Sequence, residues 1–124
     1  FIGSSNLIEG RVEAQARVGS RGTVSTVLGR LKCNLPQGAG ISEKVLFMIR
    51  PEDLKLFTEK PALDENVVEG MVTAILFLGD SIDCRVSVIN KLLHLKLANS
   101  SGVSEGERVF LQFPPESSAV IPLD

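Results

Sequence analysis

The chain of 124 residues has no tryptophan, no tyrosine, one histidine and two cysteines. Each shortage removes a class of function. With six phenylalanines as the only aromatic residues, the stacking platforms that single-stranded nucleic acid uses are scarce. Thirteen basic against fifteen acidic residues give a formal net charge of -2, which offers no electrostatic footprint for a phosphate backbone. Nucleic acid is therefore not an expected partner. The cysteines, Cys33 and Cys84, form no C-x-x-C pair, so zinc-ribbon and dithiol redox chemistry drop out and two buried free thiols are expected. Ser-His-Asp chemistry would have to use His94, and alternation puts His94 beside Lys96 on the face opposite three leucines, an exposed strand position. A lone histidine also leaves no transition-metal set. The dipeptide Gly-Lys is absent, which excludes a phosphate-cradling P-loop. No apolar run approaches the roughly 18 residues of a membrane helix; the densest, Val45 to Ile49, is strand-sized. The chain opens on Phe1 without a basic, then apolar, leader, and is expected to be a piece of a longer protein.

What remains is an ordinary globular composition, 44% hydrophobic and 23% charged, long enough for one domain or two small lobes. Gly and Pro recur every roughly eight to twelve residues, and apolar residues alternate between them. Leu31, Cys33 and Leu35 alternate with Arg30, Lys32 and Asn34; Ile82, Cys84, Val86 and Val88 alternate with Asp83, Arg85 and Ser87. Such runs bury one face of a strand, and no stretch reads as a helix of three turns. The fold class is all-β with little helix. Val45-Leu46-Phe47-Met48-Ile49 is apolar on both faces and is expected to be a strand covered twice.

The second half echoes the first. Glu9-Gly10-Arg11-Val12 returns as Glu69-Gly70-Met71-Val72, Gly40-Ile41-Ser42-Glu43 as Gly102-Val103-Ser104-Glu105, and Arg50-Pro51-Glu52-Asp53 as Pro114-Pro115-Glu116-Ser117. The blocks divide the chain into a first lobe over residues 1–58, a linker over 59–65 and a second lobe over 66–124. Other local motifs have plain readings. Gly19-Ser20-Arg21-Gly22-Thr23 reads as a hairpin turn. The carboxylate pairs Glu52/Asp53 and Asp80/Asp83 read as turn and cap residues, because adjacent strand residues point to opposite faces. The sequon Asn99-Ser100-Ser101 is a frequent chance pattern.

Phe1-Ile2-Gly3-Ser4-Ser5-Asn6-Leu7, Ile49-Arg50-Pro51-Glu52-Asp53-Leu54, Val68-x-Gly70-x-Val72, Phe77-Leu78-Gly79 and Phe113-Pro114-Pro115-Glu116 form an ordered set across the chain. This set resembles the C-terminal TOBE region of ABC-importer ATP-binding subunits. The resemblance implies two small OB-like antiparallel β-barrel lobes. It also implies a regulatory and dimerising role without ATPase activity in this region, with ATP and magnesium held in the parent's ATPase domain and no cofactor here. The implied partners are that ATPase domain, a second copy of the subunit, the importer's membrane subunits indirectly and, in some relatives, a small anion or a regulatory protein. The implied location is cytoplasmic, peripheral to the inner face of the cell membrane. Ser4-Ser5 stand where the sugar-importer branch has Pro and Met, which favours the branch serving ferric iron, spermidine/putrescine or inorganic anions.

A related small barrel in molybdate-binding proteins opens with Ser-x-Arg-Asn and closes with a Lys-bearing strand. Here Ser4-Ser5-Asn6-Leu7 lacks the Arg and Val109-Phe110-Leu111-Gln112-Phe113 lacks the Lys, so oxyanion binding is the alternative expectation. Asn6, Phe47, Arg50, Pro51 and Glu52 are the positions expected to serve as family motif, ligand or interface. Among them Pro51 is expected to end the buried strand, Arg50 to cap carbonyls or pair with a carboxylate, and Phe47 to lie in a dimer face formed by Val45 to Ile49.

Overall fold

The computed structural model describes residues 5–14, 21–35, 40–63 and 65–123. Ten strands and two short 3₁₀ turns, at Asn99–Ser101 and Pro115–Ser117, make up these residues. The strands are β1 (Asn6–Ala14), β2 (Gly22–Thr26), β3 (Gly29–Cys33), β4 (Lys44–Ile49), β5 (Lys55–Phe57), β6 (Val67–Phe77), β7 (Ser81–Val88), β8 (Lys91–Ala98), β9 (Arg108–Gln112) and β10 (Ala119–Pro122). They form two five-stranded antiparallel sheets, ordered β10-β4-β1-β2-β3 and β5-β9-β6-β7-β8. The all-β class read from the alternation and the two OB-like lobes implied by the resemblance are the observed ones.

The sheets share a topology, element for element. β1, β2, β3 and β4 of the first correspond to β6, β7, β8 and β9 of the second. Each central strand is long and bulged, β1 between Val12 and Ala14, β6 between Val72 and Ala74. A bulge adds local twist, so one strand can curl and serve two neighbours. Of the expected Gly19–Thr23 turn, Gly22 and Thr23 belong to β2, which is paired antiparallel with β1; Gly19 and Ser20 lie outside the described residues.

The fifth strands are exchanged. β5 follows β4 in sequence but pairs with β9 of the second sheet, while β10 follows β9 but pairs with β4 of the first. The hydrogen bonds therefore cross the chain's midpoint in both directions.

The structure moves the register of one sequence repeat. Val12 N–H donates to the Glu43 carbonyl at 3.0 Å and Val72 N–H to the Glu107 carbonyl at 2.9 Å. Gly40 N–H reaches the Glu43 carboxylate at 2.8 Å and Ser104 N–H the Glu107 carboxylate at 3.1 Å. Gly40–Glu43 thus corresponds to Ser104–Glu107 rather than to Gly102–Glu105. Two Gly-x-Ser-Glu strings lie two residues out of structural step, and backbone pairing, not residue identity, sets the correspondence.

The Glu-Gly-x-Val repeat has a steric cause. A Cβ on Gly10 would lie 2.8 Å from the Ser25 carbonyl oxygen and 2.5 Å from a Val24 methyl. On Gly70 it would lie 2.7 Å from both the Ser87 carbonyl oxygen and a Val86 methyl. Only glycine lets neighbouring backbone approach so closely.

Val45, Phe47 and Ile49 of β4 are sealed in the core, whereas Leu46 and Met48 on its other face are half-buried. The expected double cover is therefore unequal. Phe47 packs edge-on against Phe113, with ring centroids 5.8 Å apart and planes at 72°. Its cover comes from the chain's own second half, so Phe47 is not available to a second copy.

Candidate functional site

Two buried asparagines join the lobes. Asn6, 4% exposed at the start of β1, donates through its side-chain amide to the His94 carbonyl at 2.8 Å and accepts the His94 N–H at 2.7 Å. Asn66, 7% exposed just before β6, treats Lys32 the same way: it accepts the Lys32 N–H at 2.7 Å and donates to its carbonyl at 2.7 Å. Asn66 also donates to the Phe113 carbonyl at 2.9 Å. Its φ of 58° lies in the left-handed region that asparagine tolerates better than most residues. His94 lies on β8 and Lys32 on β3, the outermost strands of their sheets. An amide with one acceptor and two donors can complete the ladder of an open edge. Each half thus closes the free edge of the other. The Pro51 carbonyl continues the first closure by accepting the Lys96 N–H at 3.0 Å.

The motif residues therefore divide. Asn6 and Pro51 hold the lobes together through side chain and carbonyl respectively, and Phe47 lies in the core. Arg50 and Glu52 are exposed. The Arg50 carbonyl accepts the Asp53 N–H at 3.0 Å, as the Pro114 carbonyl accepts the Ser117 N–H at 3.0 Å, so the Arg-Pro-Glu and Pro-Pro-Glu stretches make matching turns. The Arg50 guanidinium makes no hydrogen bond or ion pair among the described residues, so the expected carbonyl cap or carboxylate pair is not observed there. Asn66 was missed by sequence reading, although an Asn preceding the Glu-Gly-x-Val block in both halves was a visible signal.

Cys33 and Cys84 are fully buried and free. Burial pushes both thiols up to about 11, assisted at Cys84 by the neighbouring Asp83 carboxylate. At neutral pH they are inert, protonated core residues. Asn99 donates to the Gly79 carbonyl at 2.7 Å, a structural use of the sequon residue. Among the described residues no group of three or more His, Cys, Asp or Glu is placed to hold a metal ion. None of the helices described is long and apolar enough to cross a membrane.

The outer faces of the sheets differ. The first carries a groove of about 870 Å³, lined by Glu9, Arg11, Glu13, Arg30 and Lys44, the hydroxyls of Ser25, Thr26 and Ser42, and the apolar Val27 and Ile41. A second hollow of about 420 Å³ shares Glu13 and Arg30 with it and runs on toward Lys32 and Glu65. On the second sheet, by contrast, apolar side chains are exposed. Of nine large hydrophobics exposed among the described residues, six belong to β6–β8 and their turns: Met71, Leu76, Phe77, Leu78, Ile89 and Leu92.

Two OB-like lobes, tied together by exchanged strands and by the clasps of Asn6 and Asn66, form a small β-barrel module. Residues 47–121 match the TOBE domain, and the chain belongs to that family. It is 30% identical over 115 residues, 93% of its length, to the spermidine/putrescine import ATP-binding protein PotA of Acetivibrio thermocellus. Over 84 residues, 65% of its length, it is 36% identical to the protein of the same name from Rubrobacter xylanophilus. The chain spans only 29% and 21% of the lengths of these relatives. In structure it resembles the cytoplasmic molybdate-binding protein ModG, solved with molybdate bound, at a TM-score of 0.82 and 10% identity, with 94% of each chain covered. At that identity the likeness is one of fold.

Proposed function

We propose that this chain is the C-terminal regulatory and dimerisation region of the ATP-binding subunit of an ABC importer. The transported substrate is proposed to be a polyamine of the spermidine/putrescine class, narrowed from the wider set that the motifs suggest. The observation that carries this reading is the 30% identity to a PotA protein sustained over 93% of the chain. In this role the region hydrolyses nothing; ATP and magnesium act in the remainder of the subunit, on the cytoplasmic side of the membrane. A second copy of the subunit is the proposed partner. Met71 of β6 and Leu92 of β8, both exposed and both standing opposite Ser87 of β7, supply an apolar surface for it, since exposed apolar patches mark interaction sites. This surface replaces Val45–Ile49, whose inward residues are already used inside the chain. Sedimentation equilibrium of the chain tests the pairing. The expected result is a dimer at tens of micromolar that Met71→Asp with Leu92→Asp weakens at least tenfold; a monomer throughout, or a dimer indifferent to both substitutions, overturns it.

One observation favours a second reading, oxyanion binding. The structural likeness to ModG covers 94% of both chains. Against it, Asn6 is already committed to His94, and the Arg and Lys of the molybdate motif are missing from the sequence. Native mass spectrometry after equilibration with molybdate or tungstate separates the readings: a saturable mass increment supports the second, and an unchanged mass rejects it.

A further inference from the structure

The duplicated fold contains its own control. Across the first sheet, Lys44 of β4, Arg11 of β1, Ser25 of β2 and Arg30 of β3 stand directly opposite one another in a single row. All four are exposed. The matching row of the second sheet reads Arg108, Met71, Ser87 and Leu92. The same backbone positions thus carry three cations in one half and one in the other, where Arg108 lies 3.6 Å from Glu69. The fold itself does not require the cations of the first row.

Their placement also has a cost. Arg11 and Lys44 are direct cross-strand neighbours, and like charges so placed repel and destabilise a sheet. Arg30 is held at 2.9 Å by Glu13, and an Arg11 nitrogen donates to the Ser42 carbonyl at 2.9 Å. Lys44 has no ion pair among the described residues. These three cations line the larger groove together with Ser25 and Thr26. A cavity of this size with a few converging polar groups is typical of small-molecule sites. Glu9 and Glu13 leave its lining only modestly positive, so separated anionic groups that each meet a cation suit it better than dense charge.

We propose that the groove on the outer face of the first sheet binds a small organic molecule that carries two separated anionic groups. One anionic group lies between Arg11 and Lys44, and the other at Arg30. Two strand spacings separate Arg11 from Arg30, and two and a half separate the middle of the Arg11–Lys44 pair from Arg30, so the cations suit anionic groups about 10–12 Å apart. The bisphosphate ester of a sugar and a long dicarboxylate both present this chemistry. A polyamine does not, so the site is distinct from any cargo site for spermidine or putrescine. The inference stands independently of the importer reading.

Isothermal titration calorimetry at low ionic strength tests it, with a hexose bisphosphate, suberate, inorganic phosphate and spermidine as probes. The hexose bisphosphate or suberate is expected to bind at least about tenfold more tightly than inorganic phosphate, the gain from one further charge-assisted contact. Tighter binding of the bisphosphate assigns phosphate esters, and tighter binding of suberate assigns dicarboxylates. Arg11→Met with Arg30→Leu installs the residues that the second sheet already carries in this row. That variant is expected to keep its circular dichroism melt and lose this binding, whereas Arg108→Ala is expected to bind as before. Absence of saturable binding by both the hexose bisphosphate and suberate overturns the proposal. So does equal affinity for inorganic phosphate, or binding that survives the double substitution in a folded protein.

Discussion

Asn66→Ala removes three hydrogen bonds of one buried side chain, two of which join the lobes. Three bonds, to the Lys32 N–H, the Lys32 carbonyl and the Phe113 carbonyl, vanish with the side chain. Buried hydrogen bonds contribute about 1 kcal/mol each, and groups left without a partner raise the loss. Alanine must also adopt the φ of 58° that Asn66 holds, at a cost of about 1 kcal/mol. Together these give a destabilisation of about 4 kcal/mol, a fall in Tm of about 10 to 20 °C for a protein of this size. Asn66→Gly makes the backbone cost separable: it loses the same bonds without the left-handed penalty and should recover about 1 kcal/mol. Because the chain lacks Trp and Tyr, the assay is calorimetry or far-ultraviolet circular dichroism with chemical denaturant. A loss below about 0.5 kcal/mol, the noise of an ordinary surface substitution, would refute the clasp. So would a melt already split into two transitions in the unsubstituted protein, since strands β5 and β10 are exchanged between sheets and both halves should unfold together.

Gly10→Ala and Gly70→Ala force a methyl to within 2.8 Å and 2.7 Å of a backbone oxygen; each should cost about 2–3 kcal/mol by denaturant titration, and a neutral result would show that the strand crossing can open. Phe47→Ala should cost about 3–5 kcal/mol by the same measurement, because a wholly buried ring in edge contact with Phe113 leaves a cavity. Cys33 and Cys84, raised to about 11 in the folded chain from an ordinary 9.0, impose a pH dependence of definite sign. The folded state holds these protons more tightly than the unfolded state does. The associated stability is full below pH 9 and is lost as pH rises toward 11, by up to about 2–3 kcal/mol per thiol. Calorimetric melts across that range should show the loss, and Cys33→Ala with Cys84→Ala should flatten it.

The lobes, their strands and their inward faces were legible because period-two burial leaves a direct trace in sequence: Leu31 and Cys33 point in where Arg30 and Lys32 point out. The repeat was legible at Glu9-Gly10 and Glu69-Gly70 because a steric clash selects glycine at both places. The exchange of β5 and β10 was not, since neither short strand carries a mark of its partner and pairing is decided by tertiary geometry. The register of the Gly40 block misled for a related reason: the bond from a backbone N–H to a carboxylate needs a Glu three residues on and accepts any residue at its start. Asn6 was legible as a motif residue but not as a clasp. The row of Lys44, Arg11 and Arg30 was invisible in one dimension, because three residues distant in sequence become neighbours only when β4, β1, β2 and β3 are laid side by side.

The decisive measurement for the proposed role is ATP hydrolysis by the full-length subunit as a function of protein concentration, compared with the same subunit truncated before this 124-residue region. Removing the whole region avoids leaving β4 without β10, as deletion of the second half alone would. With a regulatory and dimerising role, the truncated subunit should reach the same specific activity at saturating concentration but require several-fold more protein to do so. Superimposable concentration curves for the two proteins would contradict that role.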